Sequence, residues 1–347
     1  MNTCDPLSEA LRSVRLTGAI FLDAELGMPW GFASPLASTT AHLLAPTAEH
    51  LVLFHLLVEG QATARVPGYD SVALEAGDIV VLARGDAHEL WNGSVSELTD
   101  ASLLLPKILG GAIASERGGG SGPITKFICG YIGCERHAER LFLAGLPPLF
   151  KVNIRREASG EWIESSIRYF ASERGATGPG RAALLAKLAE ALFIETLRQY
   201  MAELTPERTG WLAAARDPAL GRALAAIHRE PAQAWTVSGL AKQAGVSRSV
   251  FAARFKQLLG EAPLAYVARW RIQLGARLLE TTDDSVLQTA LKVGYESEAA
   301  FNRAFKREFD LPPARYRRGR SLGPASDRLP AKTTPEPAAK GAQHRRR

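Results

Sequence analysis

Cysteine is scarce: Cys4, Cys129 and Cys134 are the only thiols in 347 residues. So few exclude a disulfide framework and suit a reducing compartment. Long apolar runs are missing as well. None approaches the ~20 residues that a bilayer-spanning helix needs, so a membrane is not among the expected partners. The opening stretch "MNTCDPLSEALRSVRL" has no basic segment followed by an apolar one. It reads instead as a short helix capped by Asp5, with Pro6 in its first turn. A soluble, cytoplasmic protein is the expectation. Aromatics make up only 7%, yet 46% hydrophobic residues can fill real cores, and the length suits about two domains.

The net charge of +6 hides an uneven distribution. Residues 1–209 carry 18 Lys+Arg against 24 Asp+Glu, residues 210–320 carry 18 against 10, and residues 321–347 carry 6 against 2. An acidic part is therefore joined to a basic one, the footprint expected of a phosphate-binding half beside a half with another task.

From Leu16 to Phe150 short apolar runs such as "HLVLFHLLVEG" and "SVALEAGDIVVLARGDAHEL" are broken by Gly, Pro and Asp. They read as β-strands of a small sandwich or barrel. The Gly/Ser-rich stretch at 101–123 reads as a mobile loop. Gly77, Ala83, Gly85, His88 and Asn92 form a G-x5-A-x-G-x2-H-x3-N pattern. Apart from alanine where proline is usual, it resembles the second conserved motif of the cupin barrel, in which the histidine points inward. Helical periodicity follows Glu161, and the wide apolar stripe of Arg181–Leu204 suits packing against the barrel, dimerisation, or both.

The final third holds one helical module written twice, "LAKQAGVSRSVFAARFKQLLG" at Leu240–Gly260 and "TALKVGYESEAAFNRAFKREFD" at Thr289–Asp310. Each runs a short apolar helix into a glycine (Gly245, Gly294), then a serine cap (Ser247, Ser297), then a basic helix. That is the pattern of a helix-turn-helix, whose second helix enters the major groove of DNA. Between the copies, Pro263 to about Glu280 reads as one helix spanning on the order of 27 Å. Its length suits two recognition helices roughly one DNA turn, near 34 Å, apart.

The stretch from Trp235 to Tyr316, with Leu240, Gly245, Phe251, Phe255, Gly260, Pro263, Gly294, Tyr295, Phe301, Phe305, Pro312 and Tyr316 in place, resembles the DNA-binding domain of the AraC/XylS family of bacterial transcription regulators. "VGYESEAAFNRAFKREFDLPPARYR" is close to that family's signature. The resemblance implies an effector or oligomerisation barrel ahead of the DNA-binding domain, with double-stranded DNA, a small-molecule effector, a second copy of the chain and, for an activator, RNA polymerase as partners. The expected architecture is an N-terminal all-β cupin-like barrel (1–155), a helical dimerisation and linker segment (156–209), an all-α double helix-turn-helix domain (210–320) and a disordered basic tail (321–347).

Side chains sort by reach. In the first recognition helix Arg248, Ser249, Ala252 and Ala253 face outward, and the alanines offer only methyl contact. In the second, Arg303 suits guanine, Asn302 adenine, and Glu298 cytosine N4, with Ala299 beside them. Lys256, Arg271, Lys306 and Arg307 are placed for phosphates. The spacing of four between Phe251 and Phe255, and between Phe301 and Phe305, marks core residues.

For the first half, metal-using cupins supply about three histidines and a glutamate. Here His55, Glu59 and His88 are the candidates, and Leu53 stands where a His-x-His pair needs histidine. No cofactor and no catalysis are expected, the competing reading being a cupin metalloenzyme with an attached DNA-binding domain. His55, His88, Trp91, Cys129 and Cys134 are candidate effector or sensor residues, and Trp30, Trp91, His42 and His55 are candidates to line the barrel cavity. Cys129, Cys134 and His137 have weakly specific metal-ligand spacing. An odd separation of five puts the two thiols on opposite faces of a strand unless a turn intervenes at Gly130–Gly133.

Overall fold

A computed structural model of the chain describes residues 5–110, 113–135, 143, 145–171, 179–205 and 207–321. His137, Cys4 and the basic tail beyond 321 lie outside them. Helix α1 (Pro6–Arg12) begins as the sequence indicates, with the Asp5 carboxylate accepting the backbone N–H of Leu7 and Ser8 at 3.1 Å each.

The strands that follow are β1 (Leu16–Gly27), β2 (Trp30–Ser34), β3 (His50–Glu59), β4 (Gln61–Arg65), β5 (Val72–Glu75), β6 (Asp78–Leu82), β7 (His88–Asn92), β8 (Thr99–Asp100), β9 (Ala114–Gly119), β10 (Ile124–Cys134) and β11 (Phe150–Asn153). They form two sheets, ordered β11-β6-β3-β10-β1-β9 and β5-β4-β7-β2-β8. Pairing is antiparallel except at β1–β9 and β2–β8. The expected barrel is thus two facing sheets that do not close into a ring of hydrogen bonds. Two short helices, α2 (Ala37–Leu44) and α3 (Leu105–Ile108), connect strands.

Part of the stretch read as a mobile loop is built into the sheet. Strand β9 pairs with β1 from Leu22↔Ala114 to Gly27↔Gly119. The backbones pass so closely there that a Cβ on Gly27 would lie 2.0 Å from the Gly120 carbonyl oxygen. Glycine serves this stretch as close approach, not as flexible linker.

Strand β3 is buried along nearly its whole length because both its faces are covered. Val52, Phe54, Leu56 and Val58 pack with the helices, while Leu57 packs between the sheets. Helix α4 (Ala158–Ala171) and helix α5 (Arg181–Glu203) supply that cover. Gly18 lets α5 sit directly on β1, since a Cβ there would lie 2.6 Å from the Ala186 carbonyl oxygen. Then follow α6 (Trp211–Arg216), α7 (Pro218–Arg229), α8 (Val237–Ala244), α9 (Arg248–Leu259), α10 (Pro263–Thr281), α11 (Val286–Lys292), α12 (Glu298–Phe309) and α13 (Pro313–Ser321).

By compactness the chain divides within α10, into Met1–Gln273 and Leu274–Arg347. In the first unit one core runs from Phe54 and Leu56 through Leu192 and Phe193 of α5 and Trp211 of α6 to Phe251, Phe255 and Tyr266. The composition shift near residue 210 is no break in packing. In the second unit Phe301, Phe305, Ala290 and Val293 are fully buried. Among the described residues, no helix is long and apolar enough to cross a membrane.

Candidate nucleic-acid interface and buried polar relay

Each helix-turn-helix is made by local chemistry. Helix α8 ends at Gly245, whose φ of 71° is the left-handed conformation that glycine adopts without strain. Ser247 then caps α9 by accepting the Val250 N–H at 3.3 Å. In the second copy Gly294 has φ 87°, and Ser297 accepts the Ala300 N–H at 3.2 Å. Ser285 and Gln288 close a reciprocal capping box on α11.

With the phenylalanines buried, the opposite faces of α9 and α12 are left to solvent. Arg248, Ser249, Ala253, Lys256, Glu298, Ala299, Arg303, Lys306 and Arg307 are exposed, and Ala252 and Asn302 half-buried. Among the described residues Arg248, Lys256, Arg303, Lys306 and Arg307 have no ion pair within the protein. Cations left unpaired on a reading face are available to phosphates and base edges.

Arg271 is different. Its Nε and Nη2 donate at 2.7 Å to the carbonyls of Pro231 and Gln233, stapling the α7–α8 connection to α10. Two of its donors are taken up inside the protein, which leaves fewer of them for a phosphate than the unpaired cations of α9 and α12 offer.

Between the sheets, strand register brings three of the expected sensor residues together. His55 on β3 is paired with Cys129 on β10, and His88 faces them from the second sheet. His55 Nδ1 lies 2.9 Å from Cys129 Sγ, His55 Nε2 lies 2.8 Å from His88 Nε2, and His88 Nδ1 lies 2.9 Å from the Asp86 carbonyl oxygen. That carbonyl only accepts, so His88 Nδ1 carries a proton and donates. His88 Nε2 then accepts from His55 Nε2–H, and His55 Nδ1 accepts from the Cys129 thiol. A single neutral protonation pattern satisfies the chain from thiol to carbonyl.

Electrostatics agree. Burial, reinforced by the neighbouring His88, holds His55 well below the usual imidazole range. Burial also lowers His88, opposed by its bond to the Asp86 carbonyl and by the Asp86 charge. Burial, with Asp23 nearby, pushes the Cys129 thiol up.

The remaining candidates lie elsewhere. Strand β10 runs unbroken through Gly130–Gly133, so Cys129 packs between the sheets while Cys134 joins the helix-facing core. Roughly 17 Å of strand separates them, and they share neither a metal nor a disulfide. Both side chains are buried, and neither forms a disulfide. Trp91, an odd three residues after His88, lies on the outer face of β7, where the Arg65 guanidinium sits 5.5 Å from its ring. It does not line the interior. Trp30 does, edge-on to Phe127 with ring centroids 5.5 Å apart, whereas His42 is exposed. Glu59 is also exposed and pairs with Lys126 at 2.8 Å, away from the histidines. Among the described residues, no three His, Cys, Asp or Glu side chains are grouped to hold a metal ion.

Comparison with known proteins matches residues 5–202 to a cupin family model and residues 240–319 to a helix-turn-helix domain model. The chain is 33% identical over 322 residues to the HTH-type transcriptional regulator AlkR of Acinetobacter baylyi, covering 90% of this chain and 99% of that protein. A putative AraC-like transcription regulator of Streptomyces lividans is 33% identical over 275 residues, 78% of this chain and 88% of its own length. The RCS-specific transcriptional activator RclR of Escherichia coli is 29% identical over 276 residues, 79% of this chain and 87% of its own. The chain is a DNA-binding transcriptional regulator of the AraC family, with a cupin domain ahead of its helix-turn-helix domain.

Proposed function

We propose that this regulator is controlled by a signal taken up between its two sheets, either a bound small molecule or oxidation at Cys129, and that it reads a specific DNA site through α9 and α12. The observation that supports control is the continuous core of the first unit. A change in packing at β3 has an unbroken path of side chains to Phe251 and Phe255 beneath the first reading face. Close-packed interiors transmit such changes because they repack between discrete arrangements. The neutral thiol weights the signal toward a small molecule.

In this reading Arg248, Ser249, Ala252, Ala253, Glu298, Ala299, Asn302 and Arg303 contact base edges, and Lys256, Lys306 and Arg307 contact phosphates. The chain works in the cytoplasm as a homodimer through α5, meets RNA polymerase where it activates, and catalyses no reaction. The test is selection of random duplex DNA by the full-length protein near 0.15 M salt, about physiological ionic strength. The selected site is then used to compare affinities of the wild type, with and without hydrogen peroxide, and of His55→Phe, which rebuilds the relay as an apolar core. A selected motif whose affinity changes with His55→Phe or with peroxide supports control through the sheets. A motif bound identically in every case overturns it.

A further inference from the structure

A groove of about 570 Å³ runs beside the first reading helix, between α9 and the segment that leads from α5 into α6 and α7. One wall continues the reading face. Ala253 lines it together with Val250 and Gln257, and on a 3.6-residue turn these three lie within an arc of roughly 60°. Val250 is 50% exposed although apolar.

The opposite wall is cationic. Arg208 and Arg216 reach the groove from the joining segment and α6, Arg254 reaches it from α9, and Asp217 is the carboxylate among its lining residues. All three arginines are exposed. Arg254 is paired with the buried Asp217 and Arg216 donates to the Leu204 carbonyl, while the Arg208 guanidinium has no partner among the described residues. The wall is held in register with the helix, since the Gly210 N–H donates at 2.7 Å to the carbonyl of Leu258 near the end of α9.

We propose that this groove seats the sugar–phosphate backbone of the duplex that α9 reads, with Arg208 and Arg216 as phosphate ligands. The proposal rests on α9 being a reading helix. A helix in the major groove is flanked by the two backbones, and contacts to them fix its register. Three arginines against one carboxylate, adjoining the reading stripe, match a chain of phosphates. They also supply attraction to a helix whose alanines at 252 and 253 offer bases only methyl groups. The joining segment is thereby part of the DNA interface as well as a connector.

The test uses the full chain and its selected duplex, with affinity measured from about 0.1 to 0.4 M salt. Each phosphate contact contributes about 0.9 to the log–log slope, which corresponds to roughly fivefold in affinity near 0.15 M. The double variant Arg208→Ala/Arg216→Ala is expected to bind about 30-fold more weakly and with a slope shallower by about 1.8, equally on selected and unrelated duplexes. Arg208→Lys/Arg216→Lys is expected to restore most of both. Ala253→Glu, which puts a negative charge on the reading stripe, separates this proposal from the one beneath it. If Ala253→Glu weakens binding while the double alanine variant keeps the wild-type slope, α9 reads DNA and the phosphate groove is overturned. If neither variant changes binding, the placement of α9 falls and the groove with it. Weaker binding with an unchanged slope assigns the arginines to holding the fold, which also overturns the proposal.

Discussion

The Nδ1 of His55 faces the Sγ of Cys129 at 2.9 Å across a register pair of β3 and β10. Proximity of a base to a thiol is often what activates it. Here burial acts on both partners in the opposite sense, raising the thiol and lowering the imidazole. The proton stays on sulfur.

Cys129 is accordingly expected to resist alkylation in the folded protein at pH 7.5 and to react once the chain is unfolded in urea. Iodoacetamide labelling followed by mass spectrometry of the β10 peptide measures it. Rapid labelling of the native protein, levelling off near neutral pH, would reveal a thiolate and move the signal from small molecule to oxidant.

Acid is expected to destabilise the first unit. His228 on α7 lies flat against Trp270, with ring centroids 3.9 Å apart and planes at 12°, and its Nε2 is 2.7 Å from the Tyr266 hydroxyl. Burial, with Arg269 nearby, holds its pKa at about 3. A base depressed on folding stabilises the native state fully above its unfolded pKa of about 6.5, and that stability is lost as pH falls toward the folded value. Between pH 7.5 and 5 the loss from His228 alone is about 2 kcal/mol. His55 and His88 add to it in the same direction. Urea unfolding at the two pH values measures it, and His228→Phe should flatten the dependence. An unchanged profile in that variant would mean His228 is not held neutral.

What was legible in the sequence was local. The glycine and serine between each pair of helices fix the turn and cap within four residues, so both helix-turn-helix units could be read directly. Strand parity is legible too, since an odd spacing separates Cys129 from Cys134 and Trp91 from His88. Pairing was not legible. His55 meets His88 across 33 residues and Cys129 across 74, through a register set by the whole sheet and a second sheet folded onto it. Arg208 and Arg216 carry no such mark, because a junction of mixed composition gives no sign that a main-chain bond from Gly210 clamps it to a recognition helix. Arg271 has the charge and spacing of a phosphate ligand, and only the folded chain shows that two of its donors go to the carbonyls of Pro231 and Gln233.

Base reading and phosphate attraction separate in the second helix. Arg303→Ala is expected to cost about 1–3 kcal/mol and to relax the preference at one base position. Lys306→Ala should weaken all duplexes alike and lower the salt slope by about one unit. Repeating the duplex selection with each variant distinguishes them. An unchanged motif with Arg303→Ala would mean that α12 meets DNA with another face.

Gly275 offers a test of how tightly the second unit is packed. It lies within α10, where alanine would ordinarily gain up to about 1 kcal/mol through helix propensity. A Cβ at 275, however, would stand 2.8 Å from both Cε2 and Cζ of Phe301, and Phe301 is fully buried among Phe305 and Tyr295. The ring is the centre of the small core and has no free end to swing away, so overpacking of about 1–3 kcal/mol outweighs the propensity gain. Gly275→Ala is therefore expected to lower the stability of the second unit by up to about 2 kcal/mol, and Phe301→Ala by about 3–5 kcal/mol. Because Phe301 lies beneath Glu298, Asn302 and Arg303 on α12, both variants should weaken the half of the selected motif that depends on Arg303 before they affect the half that depends on Ser249. Thermal unfolding combined with footprinting on the selected duplex measures the two effects together. A stabilised Gly275→Ala variant would mean that Phe301 repacks freely, and a core that loose would not hold Arg303 in one orientation for reading a base.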